Sequence, residues 1–449
     1  MNHIVGTAVR AMGDEIAGLQ YIDALCVDTN GGLRGKRLPR ADFEKLEKGR
    51  LNLPQAVFAL SVRGEALDGG GRGISDGDPD GYCYPIRSTF APTPWALQPS
   101  AQVLLGMCDS EGMALDIDPR RLLNDVARRM RALGYTPVVA LELEFYLLEK
   151  EKSSSFSPRP VALRNLAGGT CSQNYGVDVL DDHARVLNTI ADYAAAMGVP
   201  GRAVSAESGV GQFEINLSHV ADPILAADHA ILLRQAVKKA ADAHGVVATF
   251  MAKPFGDQPG SGMHVHMSLL DGQGANAFDP GHAAPQLEHA IAGLQALMPG
   301  SLSFLAPNVN AFRRFRPGSF APVNRSWGYD NRSVALRVPR GEPASSRIEH
   351  RVAGADANPL LVTACILAGA IHGIENRLKP TPPATGNNNI GDDPMFPANF
   401  AEALLATEND TDLARYFGRH YLHFYADLKR RELAAFMNEY SEKEYQWFL

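Results

Sequence analysis

Five carboxylates and one imidazole lie on short, strand-like segments of this 449-residue chain: Glu142 and Glu144 in LELEFYLL, Glu207 and Glu214 in ESGVGQFEINL, His264 in GSGMHVHMSL, and Glu349 in RIEHR. On a strand, residues two apart point to one face. Glu142 therefore projects beside Glu144, His264 beside His266 and Ser268, and Glu349 beside Arg347 and Arg351. The flanking residues are apolar, and a carboxylate in such surroundings must neutralise, pair or bind metal. Five acids with one imidazole suit two hard divalent cations of the Mg2+ or Mn2+ type, not a thiolate-rich zinc site. Each segment alone has a plain structural explanation: a solvated edge, two satisfied core histidines, or a surface ion-pair ladder. Four such segments in one chain point instead to one site.

A second cluster lies between residues 313 and 351, which hold nine arginines. Guanidinium forks bind carboxylate and phosphate oxygens bidentately and stay charged. With two cations they suit a nucleoside triphosphate and an acidic substrate, the equipment of phosphoryl transfer. No Walker-type glycine loop is present, so metals and arginines would hold the nucleotide.

The elements that must position these groups are punctuated clearly. Asp118–Pro119 opens a helix that Gly134 closes; Asp182 opens one closed by Gly198; Asp222–Pro223 opens one closed by Gly245; Asn358–Pro359 opens an apolar helix to about Leu378. Strands carrying the polar motifs alternate with these helices, and AVSAESGVGQFEINL has hairpin spacing. The pattern predicts an α+β catalytic domain with a largely antiparallel, curved sheet. Upstream, YIDALCVDT and AQVLLGMCD read as strands, residues 63–94 as loop, and a domain boundary falls near Asp116. TPPATGNNNIGDDP reads as an exposed polar loop.

Length predicts two or three units, and the 45% apolar fraction predicts a sizeable core. The net charge of −7, without a basic run, argues against a nucleic-acid partner. Five scattered cysteines read as reduced thiols in a cytoplasmic protein. No secretory signal is apparent, and the apolar run Leu360–Ile371 is too short to span a bilayer, so no membrane partner is expected.

These motifs resemble the glutamine synthetase superfamily from about residue 20 to the carboxyl terminus, most specifically in Glu142–Leu148, Glu207–Leu217, Gly260–Leu269, Asn331–Gly341 and Arg347–Asn358. PGSFAP and WGYDNRS resemble its γ-glutamylpolyamine (γ-glutamylputrescine) synthetase branch, which joins glutamate to amines. The resemblance implies an amino-terminal β-grasp domain over residues 16–115 and a glutamine synthetase-type catalytic domain over 116–449. It implies a homo-oligomer, a dodecamer of two stacked hexameric rings, with sites between one subunit's amino-terminal domain and its neighbour's sheet. Glu144, Glu207 and Glu214 would hold one metal, and Glu142, His264 and Glu349 the second. His266, Ser268, Arg337 and Arg347 would contact ATP; Gly260, Arg314 and Arg351 would bind glutamate; Arg332 would stabilise the phosphoryl group in transfer.

The implied reaction uses ATP and two or more Mg2+ or Mn2+ ions. It phosphorylates the γ-carboxylate of glutamate before a nitrogen nucleophile displaces phosphate. In glutamine synthetases a flap glutamate takes a proton from the ammonium-derived nitrogen, and the matching position here is Phe320. An acid near the amino terminus helps bind ammonium there; VFALSVRG offers Ser61, with Glu65 beyond. Pro259 stands where the family has a glutamate-contacting asparagine, Ala344 where bacterial members have a lysine, and PMFPANFAEAL lacks the modified tyrosine. Phe320 cannot attract ammonium but offers apolar area to an organic amine, at about 25 cal/mol per Å2. Tyr84, Trp95 and Trp327 are aromatic candidates for the distal ammonium of a diamine. The alternatives are an ammonia-using glutamine synthetase and a non-catalytic relative; retention of all six ligand positions argues against the latter.

Overall fold

Alternating apolar residues build a small sheet first. The architecture is seen in a computed structural model that describes residue 16 and residues 18–66, 73–150, 158–161, 173–391 and 393–449. Strands β1 (Tyr21–Val27), β2 (Leu33–Pro39), β3 (Leu51–Pro54), β4 (Asp80–Pro85), β5 (Ala91–Pro92) and β6 (Ser100–Cys108) pair in the order β2-β1-β6-β4-β3, with β5 beside β6. The central pair β1–β6 is parallel and the others are antiparallel. Ile22, Ala24 and Cys26 pack with Val103, Leu105 and Met107 and with Phe43 and Leu46 of the short helix Phe43–Glu47. This is a β-grasp arrangement.

The loop expected over residues 63–94, of which 67–72 lie outside the described residues, is interrupted by β5 and by β4. Gly81 is the reason it was hidden. A Cβ there would lie 2.1 Å from Met107 Sδ, so this glycine serves strand packing rather than a turn.

The large sheet comprises β7 (Thr136–Glu149), β8 (Gly201–Ala206), β9 (Gln212–Leu217), β10 (Val246–Thr249), β11 (Met263–Leu270), β12 (Trp327–Tyr329), β13 (Leu336–Val338) and β14 (Ile348–His350). Their order is β12-β13-β14-β11-β7-β9-β8, with β10 beside β7, and only β12–β13 is parallel.

Three helix starts follow the sequence reading. Asp118 accepts from Arg120 N, Asp222 from Ile224 N and Leu225 N, and Asn358 from Leu360 N, each followed by proline. The last helix, Pro359–Asn376, stops where Arg377 turns left-handed, and 83% of it is buried, so it is a core helix. Asp182 does not open a helix. It ends the turn Val177–Asp182, and the helix Ala184–Ala196 follows His183, whose Nδ1 lies 2.9 Å from Val179 O and whose ring sits edge-on to Phe213.

The small sheet docks through polar contacts. Asn358 Nδ2 donates to Asp28 O, and Glu432 accepts from Asn30 Nδ2 and Val62 N.

Candidate active site

The sheet register brings the motif residues into adjoining rows. His264 on β11 lies opposite Glu142 on β7, and Glu144 opposite Glu214 on β9. His266 lies opposite Glu349 on β14, which in turn faces Arg337 on β13. Glu207 follows β8, its N–H donating to Gln212 O. His264 Nδ1 is 3.2 Å from Glu142 Oε2, 3.9 Å from Glu214 Oε2 and 4.0 Å from Glu349 Oε1; its Nε2 is 4.0 Å from Glu144 Oε1. His266 Nε2 lies 2.9 Å from Glu142 Oε1 but is not aligned for a hydrogen bond, while its Nδ1 accepts from Arg347 Nε at 3.1 Å.

Two compact donor groups result, Glu142 with Glu214 and His264, and Glu142 with His266 and Glu349. Four of the six expected ligand residues, Glu142, Glu214, His264 and Glu349, fall in these groups, while Glu144 and Glu207 fall in neither, and the grouping differs from the one the resemblance implied. Glu142 is shared, and His266 joins a donor group because its ring reaches across β11 to β7. Glu144 sits outside both groups, its Oε2 accepting from Gly262 N at 2.8 Å.

Electrostatics explain what such a cluster needs. Burial, reinforced by Glu144, pushes Glu207 up to about 7. Burial, reinforced by Glu142, pushes Glu214 up to about 8. Burial also opposes ionisation of Glu142, but the close approach of His264 and then of His266 outweighs it and holds that carboxyl low. Glu349 is held at about 2 against its burial, chiefly by Arg351 and then by His264. His264 is buried and faces Arg351, yet the surrounding carboxylates raise it. The site thus retains protons near neutrality that divalent cations would displace. An oxygen-rich donor set, with His266 Nε2 lacking a hydrogen-bond partner, fits Mg2+ or Mn2+.

Arginines ring this floor. Arg337 Nη1 donates to Glu349 Oε2 at 2.6 Å, and Arg351 donates to Glu349 Oε1. Buried Arg314 donates to Val352 O and lies close to Gly260 and Gly262; a Cβ on Gly260 would meet Ala252 O at 2.7 Å and Arg314 Cγ at 2.7 Å. Gly260 O accepts from Gln212 Nε2. Ser268 is half-buried on β11, and Arg332 is exposed, its charge felt by Glu207. Phe320 is 69% exposed on a loop whose Ser319 Oγ donates to Arg314 O.

Some candidates fall away. Trp327 is buried and its Nε1 donates to Thr381 O at 2.6 Å, so it has no free face for an ammonium. Trp95 packs on Tyr193 but is only half-buried, so it keeps part of its surface open. Ser61 is a turn residue whose Oγ accepts from Arg63 N and Glu65 N.

Other residues were missed. Gln212 bridges Glu144 Oε2 and Gly260 O, and Asn216 Nδ2 donates to Glu214 Oε1. Both lie two residues from Glu214, so the same alternation would have found them. His219, held down to about 4 by burial and by His266, stacks edge-on to His266 at 5.8 Å; it follows β9, where alternation gives no signal.

Comparison with known proteins places this geometry. Residues 116–448 match the family described as "Glutamine synthetase, catalytic domain". The chain is 41% identical to γ-glutamylputrescine synthetase PuuA of Escherichia coli (strain K12), over 96% of this chain and 92% of that one. It is 32% identical to a glutamate–isopropylamine ligase of a Pseudomonas species, over 93% of each. The solved structure titled "Apo GmaS without ligand" superposes with a TM-score of 0.81 at 26% identity, covering 96% of both chains. The fold and site define an ATP-dependent carbon–nitrogen ligase of the acid–amine type. The chain belongs to the glutamine synthetase family, whose members use ATP and divalent metals, and it is a glutamate–amine ligase.

Proposed function

We propose that the nitrogen nucleophile is an organic amine, an alkylamine or a diamine of the putrescine type, rather than ammonia. The observation that carries this is Phe320, an exposed aromatic at the position of the family's proton-accepting flap acid. The names of the two amine-ligase relatives point the same way.

In the first step a γ-carboxylate oxygen of glutamate attacks the γ-phosphorus of ATP, and ADP leaves. In the second the amine nitrogen attacks the γ-glutamyl phosphate carbonyl, phosphate leaves, and the nitrogen loses a proton. Glu142, Glu214, His264 and Glu349 of the two donor groups, with Glu144 and Glu207 added from the family resemblance, would hold two Mg2+ or Mn2+ ions, which when bound would polarise phosphoryl oxygens and balance their charge. Arg332 would face the phosphoryl group, beside Glu207. Arg337 and Arg347, with His266 and Ser268, would orient ATP. Arg314, Arg351 and the backbone of Gly260 would seat glutamate, a role consistent with the close approach of Gly260 to Arg314.

The boundary between the two domains would fall at residues 115–116. The assembly would be a dodecamer of two stacked hexameric rings, and the protein would act in the cytoplasm. The exposed aromatic surface of Tyr445, Trp447 and Phe448 on the final helix supports self-association.

The test is phosphate release with ATP, glutamate and a panel of ammonium, putrescine, spermidine, ethanolamine and isopropylamine, with the γ-glutamylamide product confirmed by mass. Preference for ammonium would overturn the amine reading while leaving the ligase assignment intact.

A further inference from the structure

One loop braces both catalytic segments of the rim. The polar stretch Gly386–Gly391 makes hydrogen bonds in two directions. Towards the Phe320 loop, Asn389 Nδ2 donates to Ser319 O, and Asn389 O accepts from Gly318 N at 3.2 Å. Asn324, just beyond Phe320, donates from Nδ2 to Asn388 O at 2.7 Å. Towards Arg332, Asn331 Nδ2 donates to Gly386 O at 2.9 Å, and Asn388 N donates to Ser333 Oγ at 2.9 Å. Arg332 is the residue between these two anchors.

The sequence predicts an exposed loop here, and most of it is. Asn389 is the exception, at 2% exposure and with Oδ1 lacking a protein partner. Burying an amide costs free energy unless its hydrogen bonds are made. A solvated loop has no need of one; a strap has.

We infer that Asn389 is a positioning residue for amine capture. It fixes the carbonyl of Ser319, and hence the place of Phe320, relative to Arg332. It touches neither the donor floor nor a guanidinium that would face glutamate; through Ser319 it reaches only the backbone carbonyl of Arg314. The inference rests on the amine-ligase reading of Phe320. It makes a separate demand, that the ties of Asn389 and Asn324 to the Phe320 loop, unlike those around Arg332, matter to the second step and not to the first.

Asn389→Asp keeps the shape of the side chain but cannot donate to Ser319 O. Asn324→Ala releases the second tie without altering Asn389. The experiment measures KM for the best amine, glutamate and ATP, and the ratio of phosphate released to γ-glutamylamide formed. Excess phosphate reports water attacking the acyl phosphate carbonyl, which returns glutamate and inorganic phosphate.

In Asn389→Asp the amine KM is expected to rise about tenfold and the phosphate-to-amide ratio severalfold, with KM for ATP and glutamate within about twofold. Asn324→Ala should move the same two quantities, less far. A general loss of structure would not separate the steps. Equal changes in all three KM values, or an unchanged ratio in both variants, overturns the inference. If the parent forms no γ-glutamylamide with any organic amine, the amine reading fails first and this inference with it. If the parent does and the variants match it, only this inference fails.

Discussion

The floor of the site and its rim are held in different ways. On the floor, β7, β9, β11 and β14 place Glu142, Glu144, Glu214, His264 and Glu349 through backbone ladders, so their Cα positions and faces shift only if the sheet does. On the rim, Ser319, Phe320 and Arg332 sit on loops, and amide side chains such as Asn324, Asn331 and Asn389 tie those loops to neighbouring carbonyls. A ladder is specified by alternation and tolerates little variation in register. A strap of single hydrogen bonds, each worth about 1 kcal/mol, can be retuned one residue at a time. In the proposed reaction the floor would handle ATP and metal, which every substrate combination shares. The rim is where a change of nucleophile can be accommodated.

The largest effect should come from the floor. Glu349 is 2% exposed and accepts from both Arg337 and Arg351. Glu349→Gln keeps the volume but removes a ligand charge, and kcat should fall about 1000-fold, or about 4 kcal/mol. Steady-state turnover decides it: a kcat within tenfold of the parent would mean that the floor does not carry phosphoryl transfer. Deleting the group with Glu349→Ala would confuse the result by leaving two arginine charges uncompensated.

The floor should also be sensitive to pH. Glu207 and Glu214 are raised to about 7 and 8, so the folded chain keeps two protons that the unfolded chain loses near its ordinary carboxylate range. Without metal, stability from these groups therefore falls as pH rises through that range towards 8. Metal affinity runs the other way, because protons compete for the same oxygens, and should rise about 100-fold from pH 6 to pH 8. Calorimetric titration with Mg2+ or Mn2+ in buffers of different ionisation enthalpy counts the protons released. A flat affinity with no release would contradict the clustered-carboxylate account.

The same contrast explains what could be read from the sequence. Period-two spacing located Glu142, Glu144, His264 and Glu349, and proline-led caps located three of the helix starts. Alternation could not say which strands lie side by side, so the sharing of Glu142 between two donor groups was hidden. It also could not reveal β4, because Gly81 and Pro85 look like loop residues until Met107 is seen packed against the former. The rim was least legible. Asn389 looks like any polar loop residue, and only the backbone carbonyl at Ser319 distinguishes it.

The smallest and most discriminating effect belongs to Phe320. An exposed phenyl ring offers dispersion and apolar area but no charge, so it draws an ammonium ion far more weakly than a carboxylate does and cannot accept its proton. Phe320→Glu restores an acid to the rim without touching a floor residue. The ratio of kcat/KM for ammonium to that for the best amine should rise about tenfold, equivalent to about 1.4 kcal/mol of relative transition-state stabilisation. Part of that change would come from better use of ammonium. The rest would come from poorer use of apolar amines, which lose contact area and meet a charge. KM for ATP should stay within about twofold, since the floor is unchanged. If the ratio does not move, Phe320 only packs its loop and the nucleophile is chosen elsewhere. If ATP binding shifts as strongly as amine use, the rim and floor are coupled, and the division of labour between them fails.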